Sequence, residues 1–242
     1  MYRNQLQICK SPVMNSLLAR VRSRDVSMDE ARRNVRRLYS SLLAKIIDEQ
    51  FTPIQSEVLT SMFEHNPKGV WKGPTPDLSV PVVVTAIARG GLLPGDACVD
   101  ELALYGYRQK RLDCIMMNRT TDYTGHVSGV AVQGRKTGNS VKGAMVIFPD
   151  CVVATGCSMV KAQQIYEGMG GGAKRHIIVS LICTPRGAET IWTKFPDTII
   201  YAVNVDPELD EHDYVLPGAG DMGNKLNGPS DLVITGLEQE RA

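Results

Sequence analysis

Five short apolar runs, each followed by roughly a helix length of chain, constrain this sequence more than any other feature. Val80–Ile87, Cys114–Met117, Met145–Phe148, Ile177–Ile182 and Thr198–Val203 are largely apolar along their length instead of alternating with polar residues. Strands of that kind must be covered on both faces, which a parallel sheet flanked by helices achieves. The pattern predicts an α/β fold with a central, mostly parallel sheet and helices on both sides. At 43% hydrophobic residues the chain has enough apolar surface for one sizeable core. Lys+Arg 27 against Asp+Glu 26 gives a net charge of +1, so nothing in the charge calls for nucleic acid or an anionic membrane as partner.

The region Ser11–Phe51 reads as helical. Ser27-Met28-Asp29-Glu30 has the form of a capping box, and Ala31, Val35, Leu38, Leu42 and Ile46 then recur at helical spacing. Arg32, Arg33, Arg36 and Arg37 occupy the other face, as a polyanion site, a solvated surface or a subunit contact. Between Asn66 and Pro76 a Pro/Gly-rich connector is expected to break regular structure. The polar stretch Asn118–Gly143, alternating around His126–Gln133, suits a β-hairpin flap or a plain solvent loop. Gly168–Gly172 is glycine-dense, but it follows a helical segment and precedes a strand, so a helix C-cap and turn is expected there.

Six cysteines form no C-x-x-C pair and have no zinc-like spacing with the four histidines, so free thiols are expected and a metal or disulfide framework is not. No apolar run reaches membrane-span length, and MYRNQLQICK lacks a signal-peptide core, so a cytoplasmic protein is expected.

Chemistry is concentrated in three turns beyond the carboxyl ends of strands, where open parallel sheets bind ligands. The first is Arg89-Gly90-Gly91. The second runs from Asp150 through Cys151-Val152-Val153 to Ala154-Thr155-Gly156-Cys157-Ser158, with Ser158 at the expected N-cap of the next helix. A small-residue turn there gathers backbone N–H groups and a helix dipole, which suits a phosphate. An acid just upstream can hold a sugar hydroxyl or Mg²⁺. The third is Tyr214–Lys225, where glycines at 218, 220 and 223 surround Asp221. Together they suggest a grip on a phosphorylated sugar. No Ser/His/Asp or Cys/His constellation is evident, and none of the histidines lies in these turns.

In this order and at these separations, the three turns resemble the uracil phosphoribosyltransferase family from about Ser11 to Gly228. The family's Asp-Pro-Met-Leu-Ala-Thr-Gly-Gly-Ser stands here as Asp150–Ser158, its Arg-Ala-Gly as Arg89–Gly91, and its Tyr-Ile-x-Pro-Gly-Leu-Gly-Asp-Ala-Gly-Asp as Tyr214–Asn224. The resemblance implies a type I phosphoribosyltransferase-like single domain over 1–242. Within it, 1–75 would be an N-terminal helical extension, 76–228 the catalytic core with a β-hairpin flap, and 229–242 a tail. It also implies transfer of the phosphoribosyl group of 5-phosphoribosyl-1-diphosphate (PRPP) to uracil, giving UMP and pyrophosphate in pyrimidine salvage, with Mg²⁺ and a homodimer or larger assembly.

The implied roles follow position by position. Arg89, Asp150 and Asp221 would be catalytic. PRPP would be held by Arg89, Arg119, Asp221 and the loop Asp150, Cys151, Val152, Val153, Ala154, Thr155, Gly156, Cys157 and Ser158. Uracil would meet Tyr214, Val215, Gly220, Asp221 and Met222, largely through backbone groups. Mg²⁺ would arrive mainly on PRPP, with Asp221 beside it. Four departures from the family pattern stand out: Cys151-Val152-Val153 for Pro-Met-Leu, Cys157 for the second glycine, Asn224-Lys225 for an Asp followed by a basic residue, and Arg186 for a glutamate. They motivate an alternative, a catalytically impaired member that binds UMP or PRPP as a sensor or regulatory partner. A transferase for a different nucleobase is a further alternative.

Overall fold

The computed structural model describes residues 5–121 and 127–229, without the side chains at 119, 121, 127 and 128. The chain opens with β1 (Leu6–Ile8), α1 (Pro12–Arg22) and α2 (Met28–Gln50). The expected helical region is therefore two helices. Ser27 Oγ accepts from the Glu30 amide at 3.2 Å, as the capping box requires, while the Glu30 carboxylate meets Arg20 at 3.3 Å. Along α2 the stripe Ala31, Val35, Leu38, Leu42 and Ile46, broadened by Tyr39, Leu43 and Ile47, is buried.

Next come β2 (Pro53–Leu59), a short 3-10 turn at Ser61–Glu64 and β3 (Val70–Pro76). Regular structure was not expected across Asn66–Pro76, yet β2 and β3 pair antiparallel from Pro53↔Pro76 to Leu59↔Val70. Each strand of a two-stranded ribbon keeps a free edge, where proline's missing N–H costs no ladder bond.

The remaining elements are β4 (Val82–Ala88), α3 (Leu92–Leu104), β5 (Lys110–Thr121), β6 (Val127–Lys136), β7 (Met145–Val153), α4 (Cys157–Gly168), β8 (Arg175–Cys183), α5 (Pro185–Lys194), β9 (Ile199–Val205), β10 (Glu208–Leu209), β11 (Val215–Leu216) and α6 (Met222–Asn227). The main sheet has the order β1-β9-β8-β7-β4-β5-β6, parallel throughout except β5–β6. Residues of β5 and β6 thus pair as an antiparallel hairpin in the expected flap region, whose 122–126 segment lies outside the described residues. Gly170, Gly171 and Gly172 all have positive φ after α4, as the expected C-cap and turn demand.

Strand side chains alternate between two cores. Val82, Val84, Met145, Ile147 and Val179 face α1, α2 and α3, whereas Val83, Ile87, Val146, Phe148 and Ile178 face α4 and α5. From β4 the chain crosses through α3 to β5 on one side, and from β7 through α4 to β8 on the other. The gap between the carboxyl ends of β4 and β7 is therefore a topological switch point. β1 was not anticipated. It pairs with β9 through Leu6↔Ile200 and Ile8↔Ala202, so the N-terminal region supplies an edge strand to the sheet itself.

Candidate active site

At the switch point the chain leaves β4 through Arg89, Gly90 and Gly91, with a cis Ala88–Arg89 peptide. The two glycines serve close approach, since neither has positive φ. A β-carbon on Gly90 would lie 2.9 Å from Asp150 Oδ1, and one on Gly91 would lie 2.8 Å from the Pro149 carbonyl oxygen. Asp150 itself sits within β7, which extends five residues past the expected Phe148 end. Its Oδ1 accepts from the Cys151 amide at 2.8 Å. From behind, the buried Tyr39 hydroxyl spans the carbonyls of Asp150 and Val179 at 2.7 and 3.2 Å. Burial pushes the Tyr39 pKa well up, so the hydroxyl keeps its proton and remains a donor.

The turn Ala154-Thr155-Gly156 leads into α4, which begins at Cys157 and has Gly156 as N-cap, two residues earlier than the expected cap at Ser158. Gly156 carries φ 81°, and a β-carbon there would run into the Gly187 carbonyl. Thr184 holds this turn from its inner side. Its amide donates to the Val153 carbonyl at 3.0 Å, its hydroxyl donates to the Ala154 carbonyl, and the same oxygen accepts from the Gly187 amide at 2.9 Å to cap α5. With those carbonyls turned towards α5, the first-turn amides of α4, which have no intrahelical acceptor, are left to face outward. That is an anion cradle.

The C-terminal loop closes the third side. Asp221 caps α6: its Oδ1 accepts from the Asn224 amide and its Oδ2 from the Asn224 side-chain nitrogen, both at 2.9 Å. Asn224 Oδ1 accepts in turn from Arg89 Nη1 at 3.3 Å, and Arg89 Nη2 donates to the Gly228 carbonyl at 2.6 Å. Arg89, Asn224 and Asp221 thus form one hydrogen-bonded chain, and Gly223 would bring a β-carbon to 3.6 Å from the Arg89 β-carbon.

With this geometry in place, comparison with known proteins becomes informative. A family model described as uracil phosphoribosyltransferase matches residues 8–228. The chain belongs to the uracil phosphoribosyltransferase family. It is 28% identical over 219 residues to the uracil phosphoribosyltransferase of Dictyoglomus thermophilum, covering 90% of this chain and 96% of that protein. With that of Thermosipho melanesiensis it shares 41% over 83 residues, 34% of this chain and 39% of the relative. With that of Pyrobaculum islandicum it shares 35% over 123 residues, covering 50% of this chain. In these two alignments the chain spans only 39% and 56% of the relative's length. Among solved structures, the AQ2163 protein from Aquifex aeolicus has the same fold, with a TM-score of 0.75, 20% identity, and 93% of this chain and 99% of that one covered.

For a member of the uracil phosphoribosyltransferase family, the four departures have local explanations. Cys157 is the first residue of α4 and lies outside the left-handed region, so the requirement for glycine falls on Gly156 alone. Cys151 is fully buried, its Sγ 3.6 Å from the Gly90 carbonyl, and burial pushes its thiol pKa well up. Arg186 pairs with Asp213, a buried acid at φ 62° in the loop before Tyr214. Asn224 is the bridge between Arg89 and Asp221.

The sequence-predicted residues are not all brought together. Met222 is buried in the α2–α3 core, so only its backbone can face a base. The Tyr214 side chain is 61% exposed, while its backbone pairs with Asp210 on both sides at 2.8 Å. Val215 lies on β11 opposite Leu209, and Gly220 has φ 74°. The Arg119 side chain lies outside the described residues. All six cysteines are free. Among the described residues no helix is long and apolar enough to cross a membrane. A cleft of about 480 Å³ between β6, α4 and α5, lined by Val130, Lys161 and Thr190 among others, meets the cradle only at Cys157.

Sequence reasoning missed Tyr39, Thr184, Arg22 and Asp206, each of which holds a site loop from behind. Asp206 alone carried a signal, an acid directly after an apolar strand at the carboxyl edge of the sheet. Two of the four arginines of α2 are internal ties: Arg32 Nη1 donates to the Leu226 carbonyl at 2.6 Å, and Arg36 pairs with Asp96 and Asp100 on α3, while Arg33 and Arg37 are exposed.

Proposed function

We propose that the chain is an active uracil phosphoribosyltransferase, joining uracil to the phosphoribosyl group of PRPP to give UMP and pyrophosphate. One observation carries this: the amide cradle at Gly156–Ser158, Asp150 beside Gly90, and the Arg89–Asn224–Asp221 chain all converge on the carboxyl ends of β4 and β7. The cradle takes the 5′-phosphate, and Asp150 takes the ribose hydroxyls. Arg89 faces the pyrophosphate, and backbone groups of Val215 and Gly220–Met222 read the base. As the bond from ribose C1 to pyrophosphate breaks, positive charge grows on the ribose and negative charge on the leaving group. Positioning and cations on the pyrophosphate then carry the catalysis, without a protein nucleophile.

Among the described residues no group of three or more His, Cys, Asp or Glu converges on one point. Both Asp221 oxygens are engaged by Asn224. That donor set suits an ion whose other ligands come from phosphate oxygens, the usual habit of Mg²⁺. Bound on PRPP, Mg²⁺ would neutralise leaving-group charge, with Asp221 as the nearest protein acid. We place the protein in the cytoplasm, where PRPP and free bases occur together.

We also propose a homodimer formed through β2–β3. Ile54, Val58 and Trp71 project from one face of that ribbon and are exposed, while Glu57 pairs with Lys72 on the other. An isolated two-stranded ribbon is marginal in water, and an apolar face of this kind suits an isologous contact with a second copy.

The deciding assay incubates the protein with Mg²⁺, PRPP and a panel of uracil, cytosine and purine bases, beside Asp221→Ala. UMP formed from uracil, and strongly reduced in the variant, supports the proposal. Binding of PRPP or UMP without turnover of any base would instead identify a sensor, and preference for another base would reassign the substrate.

A further inference from the structure

The base-reading loop is held at both ends by one turn of the N-terminal region. Asp206, immediately after β9, is completely buried. It forms a two-pronged pair with Arg22, the last residue of α1, Nη1 to Oδ2 and Nη2 to Oδ1 both at 2.7 Å. The same carboxylate accepts from Asn204 Nδ2 at 2.8 Å and from the Gly218 amide at 2.9 Å, while Arg22 Nη1 also donates to the Gly218 carbonyl. Both polar backbone atoms of Gly218 are thus gripped by the two partners of one ion pair. Gly218 has φ 62°, and a β-carbon there would collide with the Val215 carbonyl, so this residue also sets the bend of the loop. At the other end, Lys225 Nζ donates to the carbonyls of Val21 and Ser23, the neighbours of Arg22, at 2.9 and 3.2 Å.

We propose that Arg22 and Asp206 are positioning residues for base recognition: they fix Gly218, and with Lys225 they set the spacing of the backbone groups at Gly220–Met222 that meet the base. The proposal rests on the assignment of Tyr214–Asn224 as the base site. Its physical basis is that a loop reading its ligand through backbone groups has no side chain with which to correct a misplacement. Its accuracy comes wholly from its anchors, and an error of about 1 Å can cost on the order of 10²-fold. The phosphate cradle is anchored separately, through Thr184. Base affinity and PRPP affinity should therefore respond differently when the pair is cut.

The test compares wild type with Arg22→Met, Arg22→Lys and Lys225→Met in steady-state kinetics and amide hydrogen exchange. Arg22→Met should raise KM for uracil about tenfold or more while leaving KM for PRPP within about twofold. Arg22→Lys should recover only part of this, because an ammonium keeps the charge but not the fork. Lys225→Met leaves the ion pair intact and should give the same selective rise, which covers the case of an Arg22 variant that does not fold. Exchange should accelerate across Val215–Lys225 with Asp150–Ser158 unchanged. Equal shifts in both KM values, or a lower Tm with KM for uracil and loop exchange unchanged, would show a merely structural pair and overturn the proposal. If wild type itself turned over no base, the assigned activity would fail. Loop exchange would still decide the clamp, since unaltered protection in the variants overturns it.

Discussion

Gly156 is where one residue's geometry most tightly constrains the turn into α4. Its positive φ and the Gly187 carbonyl behind it leave no room for a side chain. Gly156→Ala should lower stability by about 1–3 kcal/mol and abolish measurable PRPP binding, read by thermal melting and calorimetry. At the same scale, His176 is half-buried with Nδ1 3.1 Å from Gln163 Oε1, an oxygen that also accepts from Thr198, and its buried Nε2 has no partner. Burial lowers its pKa from the ordinary 6.5. The unfolded chain therefore takes up the proton more readily than the folded one, so stability should hold above about pH 6.5 and fall as pH drops through and below that value. His176 lies edge-on to Phe148 and Phe195 at 5.5 and 6.1 Å, so phenylalanine should fit. His176→Phe should flatten the decline in Tm between pH 7.5 and 5, and an unchanged slope would exclude His176 as its source. From sequence, Gly156 was legible as part of a tight turn into a helix because small residues cluster between the apolar strand and the helical segment. Which of Gly156 and Cys157 needed the special φ was not legible, because that depends on where the helix starts.

Among elements, the five apolar runs became β4, β5, β7, β8 and β9, because burial on both faces leaves a local signature. The ribbon β2–β3 lacked one. Its pairing compensates for Pro53, Pro74 and Pro76 only once two edges meet, which is a non-local fact. β1 was equally hidden, since its three residues acquire strand character only from β9 beside them. The ribbon also carries its own prediction. Val58→Ser with Trp71→Ser removes two facing apolar side chains without touching the Glu57–Lys72 pair. Sedimentation at micromolar concentration should show the wild type as a dimer and the double variant shifted towards monomer. A monomeric wild type would refute the dimer outright.

For the whole molecule, the candidate site joins segments that the sequence keeps far apart, so ligand binding should stabilise the entire domain. Mg²⁺ and PRPP at about 100 times Kd should add about 2.7 kcal/mol. For a domain of this size that is a rise in Tm of roughly 5–11 °C. A chelator should remove most of the gain, and PRPP that stabilised equally with chelator present would argue against Mg²⁺ as part of the bound species. The three turns were legible in the sequence because in each of them small residues stand beside a charged one, Arg89, Asp150 or Asp221. Sequence reading could not see that residues of α1 and α2 hold the last turn in place, because Arg22 resembles any surface arginine until Asp206 is beside it.

The contact between Arg22 and Gly218 spans 196 positions of chain. At a synthesis rate of about 5–20 residues per second, the ribosome needs roughly 10–40 s after making the first to make the second. The ion-pair partner of Arg22, Asp206, itself follows it by 184 positions, so for most of that interval the guanidinium stays without it. In a nascent chain the turn at Asp150–Ser158 can thus be made well before the ion pair that fixes Gly218 exists.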